Sequence, residues 1–114
     1  MKGTNLGEFE ELVLLTVIIL QEEAYIIKIR EELKSQIGRI VAMGALHATL
    51  ARLEKKGFLQ SQLAGATEER GGRRKRIYEL TSLGKTVLKE ARDIRNRMWS
   101  QVPDYALKSI VLPY

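Results

Sequence analysis

A chain of 114 residues with 45% hydrophobic and 29% charged side chains has material for one folded domain with a modest core, and it is too apolar to be a disordered tail. The formal net charge of +5 and a pI near 9.6 suit an acidic partner such as nucleic acid, and the absence of cysteine excludes disulfides and thiolate metal sites. The apolar run 12–20 falls short of the roughly 20 residues that span a bilayer, and acidic rather than basic residues precede it, so neither a membrane helix nor a signal peptide is expected. The expected compartment is the cytoplasm.

In chain order, Asn5 is placed to cap a first helix, with Glu8 at its third position closing a capping box. This helix, LGEFEELVLLTVIILQ, is apolar on nearly every face from Leu12 onward. Such a helix has to be covered on every face. A chain this short cannot do that alone, which points to a dimer. A second helix is expected from about Ala24, where Ile26, Ile29 and Leu33 recur at helical spacing, with Gly38 as its stop. A third helix over residues 43–56 places Leu46, Leu50 and Leu53 on one face, and Gly57 ends it.

After Gly57 the apolar period shortens to two. Residues 58–63, FLQSQL, read as a strand with Leu59, Ser61 and Leu63 on one side. RIYEL, residues 76–80, reads as its antiparallel mate, with Tyr78 and Leu80 facing the same way. The intervening loop carries Arg70, Arg73, Arg74 and Lys75 around two glycines and runs into Arg76. Thr81 then caps a last long helix, in which Leu83, Val87, Ala91, Ile94 and Met98 recur every three or four residues until Pro103. No internal repeat is visible.

Three helices, a hairpin with a basic loop and a final helix make a mainly α, α+β winged helix-turn-helix. Its three-helix core and two-stranded β-hairpin wing precede a long C-terminal dimerisation helix. The corresponding division is a DNA-binding domain over residues 1–82, then a dimerisation helix and tail over 83–114. In this plan one helix enters the major groove while the wing lies along phosphates or the minor groove. The third helix is the expected reader. Gly44, Ala48, Ala51, Arg52 and Lys55 lie opposite its leucines, flanked by Ala45 and His47. Small residues permit close approach to base edges, alanine methyls can pack on thymine methyls, and Arg52 and Lys55 are expected on phosphates. The basic wing over 64–76 is expected to supply Arg70, Arg73, Arg74, Lys75 and Arg76 to the backbone.

Two stretches also resemble a known family. GALHATLARLEKKGFL followed by ERGGRRKRIYELTSLGKTVL is similar to the PadR-like transcriptional regulators, with their LxRLExxGxL and GGRxRxxYxLTxxG patterns. The resemblance covers most of residues 6–100 and implies a homodimeric repressor of double-stranded DNA operators. It further implies that the C-terminal helix pairs with the partner's first helix, through Leu12, Leu15, Ile19, Val87, Ala91, Ile94 and Met98. The short tail resembles the compact branch, with a single C-terminal helix. Two departures from the family matter: His47 stands where a tyrosine is usual, and Ala24-Tyr25 where Gly-Tyr is frequent. In some of these regulators an aromatic in the dimer helices lines a pocket for flat hydrophobic effectors. Trp99, beside Met98, is the candidate for that role, although packing in the dimer seam is the preferred reading.

An enzyme is not expected. His47 is the only histidine, and the acidic pairs Glu22-Glu23 and Glu31-Glu32 read as solvated helix faces. RGGRRK lacks the Gly-Lys-Ser/Thr ending and strand-to-helix setting of a P-loop. No cofactor or metal is expected. The alternative reading is a winged helix that binds RNA or serves as a protein–protein adaptor.

Overall fold

A computed structural model of the chain describes residues 6–64 and 75–108. Its elements run α1 (Glu8–Leu20), a 3-10 turn (Gln21–Glu23), α2 (Ile26–Ile37), α3 (Met43–Lys55), β1 (Leu59–Leu63), β2 (Arg76–Leu80), α4 (Ser82–Trp99) and α5 (Asp104–Lys108). The expected winged helix-turn-helix is therefore observed, with a short terminal helix added.

Helix α1 begins two residues later than its predicted cap allows. Gly7, not Asn5, is the N-cap, and the Gly7 N–H donates to Glu10 Oε1 at 2.9 Å. The carboxylate of the half-box is thus Glu10 rather than Glu8, and Asn5 lies outside the described residues. Val13, Leu14 and Val17 are buried on one side of α1. They join Ile29 and Leu33 of α2 and Leu46, Leu50 and Leu53 of α3 in a single core, to which Phe58, Leu59, Tyr78, Leu80, Val87 and Leu88 also belong. Gly38 closes α2 in the left-handed region at φ 77°, a conformation that a side chain would disfavour. Arg30 Nε donates to the Val41 carbonyl at 2.7 Å and so ties α2 to the turn that launches α3.

The two strands form one antiparallel hairpin in the register Leu59↔Leu80, Ser61↔Tyr78, Leu63↔Arg76. Leu59, Ser61 and Leu63 therefore share a face with Tyr78 and Leu80, as their alternation predicts. Leu59, Tyr78 and Leu80 are buried, whereas Leu63 has run out beyond the core and is exposed. A further bond, from the Tyr78 N–H to the Ala24 carbonyl at 2.9 Å, pins the α1–α2 connection to β2.

Thr81 caps α4 as expected, its Oγ1 accepting from the Gly84 N–H at 2.9 Å. The same hydroxyl donates to the Gly57 carbonyl at 2.6 Å and locks the start of α4 to the end of α3. The helix stops at Trp99, before Pro103, and the Pro103 carbonyl accepts the Ala106 N–H as α5 begins. Val87, expected between protomers, is instead buried in the protomer's own core, because the first half of α4 packs beneath the hairpin.

Gly84 makes that packing possible. A Cβ there would lie 2.1 Å from the Phe58 carbonyl oxygen, a backbone atom that cannot swing aside. Gly84→Ala is expected to lower unfolding stability by about 1–3 kcal/mol or more. Urea denaturation measures it; an unchanged midpoint would mean that α4 does not rest on Phe58.

Candidate nucleic-acid interface

The exposed face of α3 is built by subtraction. Leu46, Leu50 and Leu53 are fully buried, and Thr49 is turned inward with its Oγ1 donating to the Ala45 carbonyl at 2.9 Å. Helical geometry then leaves Gly44, Ala45, His47, Ala48, Ala51, Arg52, Glu54 and Lys55 outside, and all eight are exposed. The predicted reader residues are thus brought onto one surface. Among the described residues, nothing lies within 4 Å of a Cβ built at Gly44, so the start of the helix is open.

Arg52 is an exception to the expected chemistry. Its Nε donates to Glu10 Oε2 at 2.9 Å and its Nη2 to Thr49 Oγ1 at 3.3 Å, so the guanidinium faces α1. Lys56, just beyond α3, donates to both Glu10 oxygens at 2.9 and 3.0 Å. The Glu10 side chain is only 7% exposed, against 50% for Arg52. Burial pushes the Glu10 carboxyl up, but the Gly7 N–H, the Arg52 and Lys56 hydrogen bonds and the Lys56 charge together hold it below the usual carboxylate range. Next to it, Glu11 pairs with Arg95 of α4. Two consecutive carboxylates of α1 thus grip α3 and α4.

The wing is fixed at its base. Lys75 Nζ sits 4.2 Å from the centre of the Tyr25 ring, a cation–π contact that ties the strand entry to the α1–α2 connection. Arg76 Nη1 donates to Ser61 Oγ at 3.1 Å, and Ser61 in turn donates to Glu54 Oε2 of α3 at 2.8 Å. The hairpin and α3 are therefore linked by side chains as well as by the chain. Both Lys75 and Arg76 are exposed. Arg70, Arg73 and Arg74 lie outside the described residues.

Glu10, Tyr25, Ser61 and Glu54 are not among the residues that sequence patterns assign to the site. Glu10 carries a weak sequence signal, one of three carboxylates at the head of an apolar helix, but its partners are 42 and 46 residues away. No local pattern connects them.

A second surface lies on the far side of α1. Leu15, Ile18 and Ile19 are exposed there, Ile19 at 53%, although they belong to the most apolar stretch of the chain. Leu15 and Ile18 line a groove of about 670 Å³ with Leu88, Arg92, Arg95 and Trp99 of α4. Trp99 is 60% exposed and Met98 is exposed beside it, whereas Leu12, Ala91 and Ile94 are half-buried. Among the described residues, no helix is long and apolar enough to cross a membrane, and no group of acidic or histidine side chains could hold a metal.

A three-helix core with an exposed third helix, followed by a hairpin and a capped C-terminal helix, defines a winged helix-turn-helix protein. The Transcriptional regulator PadR-like family model matches residues 14–90, more than half of the sequence. The chain belongs to the PadR-like family of transcriptional regulators, whose members are regulators rather than enzymes. It is similar to a PadR family transcription regulator from Clostridium difficile R20291, with 27% identity and a TM-score of 0.65 over 89% of this chain and 99% of that one. It shares its fold with a PadR-like transcriptional regulator from Bacillus cereus, at 21% identity and a TM-score of 0.65 over 93% of each chain. No curated protein matches the sequence.

The depressed Glu10 carboxyl has a consequence for stability. Its contribution is fully present above the unfolded carboxylate value and is lost as pH falls through the lower folded value. Glu10→Gln is therefore expected to be less stable than the parent at neutral pH, with the difference narrowing in acid. Thermal melts from pH 7 to pH 3 check this; a gap that stays constant would mean that the carboxylate is not held in its charged form.

Proposed function

We propose that the protein is a homodimeric, sequence-specific repressor that binds double-stranded DNA in the cytoplasm, with α3 in the major groove and the basic wing on phosphates or the minor groove. The observation that carries this reading is the exposed face of α3. Gly44, Ala45, His47, Ala48 and Lys55 stand clear of the body, while three buried leucines fix the helix from behind. An α-helix of 10–12 Å diameter fits a major groove about 12 Å wide, and small side chains let it sink in. His47 brings a hydrogen-bonding ring to the base edges, where it offers less stacking area than the tyrosine usual in the family.

The wing supports the same reading. Its described end exposes Lys75 and Arg76, the latter linked through Ser61 to α3, and the sequence adds Arg70, Arg73 and Arg74 to the loop. A net charge of +5 favours the encounter with a polyanion.

The proposed dimer uses the bare side of α1. Covering a large apolar side chain is worth about 1.5–3 kcal/mol, so Leu15, Ile18, Ile19, Met98 and Trp99 together favour a partner. A second copy supplies the matching surface, with Leu12, Ala91 and Ile94 at its margin. Residues 1–82 then carry the DNA-reading elements, 83–114 assemble the dimer together with the bare side of α1, and Trp99 belongs to the interface rather than to the wall of an effector site.

Two substitutions test the proposal. Ala48→Glu places a carboxylate on the exposed face of α3, away from the leucines, and is expected to abolish binding to duplexes selected from random DNA while leaving the melting temperature nearly unchanged. Unimpaired binding would remove α3 from the groove, and a preference for structured RNA over any duplex would favour an RNA-binding module. Ile19→Asp is expected to give folded monomers in sedimentation and at least a tenfold loss of operator affinity. A stable dimer of that variant would place the seam elsewhere.

A further inference from the structure

We propose that Glu10 is a specificity-determining residue, whose carboxylate withholds Arg52 and Lys56 from the DNA backbone. This rests on the placement of α3 in the major groove. Arg52 occupies the edge of the exposed face of α3, where an arginine of a reader helix would ordinarily reach phosphate. Its hydrogen bonds point it the other way, to Glu10 Oε2 and Thr49 Oγ1. Lys56 is committed to the same carboxylate through both oxygens.

The direction of this competition is set by burial. Glu10 cannot follow its partners outward, because its side chain is 7% exposed and its Oε1 is also held by the Gly7 N–H. Turning Arg52 to a phosphate would strip a buried carboxylate of a charged partner, which is strongly unfavourable. The arginine–phosphate pair formed in its place would be exposed and screened by salt. The internal pair wins.

The consequence concerns discrimination. Contacts to phosphate raise affinity for every duplex alike, whereas contacts to base edges separate one sequence from another. By occupying two cations at the end of the reader helix, Glu10 lowers the sequence-independent part of binding. The residues left to meet DNA on α3 are His47, the small side chains and Lys55.

Salt titrations on selected and random duplexes test this, because each phosphate contact contributes about 0.9 to the slope of log K against log salt. Arg52→Ala is expected to leave the slope unchanged, while Lys55→Ala lowers it by about one. Glu10→Gln is expected to steepen the slope by about one as one of the two freed cations reaches phosphate. Random duplex should then bind about fivefold tighter at 0.15 M salt, with a smaller ratio of selected to random affinity. A purely structural role for Glu10 would weaken binding without steepening the slope. The proposal is overturned if Arg52→Ala lowers the slope by about one, or if folded, dimeric Glu10→Gln keeps the parent slope. Should Glu10→Gln fail to fold, the Arg52→Ala titration decides alone. An unchanged slope for Lys55→Ala together with unimpaired binding by Ala48→Glu would overturn the placement of α3 itself, and this proposal with it.

Discussion

A helix that is apolar on nearly every side has to be covered on every side, and α1 imposes that demand on the rest of the molecule. Val13, Leu14 and Val17 are covered by the protomer itself, which is why α2, α3 and the hairpin are arranged around them. Leu15, Ile18 and Ile19 are left bare. The protein thus has a finished side, which carries α3, and an unfinished one, on which the proposed dimer depends. A single helix joins the two.

The polar end of α1 serves the same end by other means. A buried carboxylate is tolerable only when its charge is matched and its lone pairs are occupied. Glu10 meets that requirement with a backbone N–H, a guanidinium and an ammonium group, drawn from its own first turn and from the end of α3. Glu11 holds Arg95 of α4 at the next position. Dispersion and hydrophobic burial set how close α3 lies to α1, but they are non-directional; the ion pairs add orientation. The proposed placement of α3 against base edges, which demands a position fixed to within a fraction of an ångström, benefits from both.

The hairpin is held by few but well-placed bonds. Its core-facing residues anchor one side, the Ala24 carbonyl closes on Tyr78, and Lys75 rests on the Tyr25 ring. Thr81 bonds Gly57 and caps α4 with one hydroxyl, so the end of α3, the hairpin and the start of α4 form one rigid corner around Phe58 and Gly84. Exposed cations at the hairpin base are therefore presented from a fixed platform.

The elements themselves are legible in the sequence because each rests on short-range physics. Leucines at 46, 50 and 53 can share a face only in a helix, Tyr78 and Leu80 only in a strand, and Gly38 and Thr81 mark ends through their own backbone or side-chain chemistry. From those the winged-helix order and the exposed face of α3 follow directly. The first cap is misplaced by local rules because Asn5 and Gly7 both satisfy them, and the choice falls to the residue whose carboxylate partner, Glu10, is also needed by α3. Val87 is misassigned for a related reason: helical periodicity identifies an apolar stripe but not whether its own chain or a second copy covers it. The inward turn of Arg52 has no local sign at all. Periodicity, caps and turn residues act within a few positions and are written in the sequence; the pairing of Glu10 with Arg52 and Lys56 spans more than forty residues and exists only once three buried leucines have brought α3 against α1.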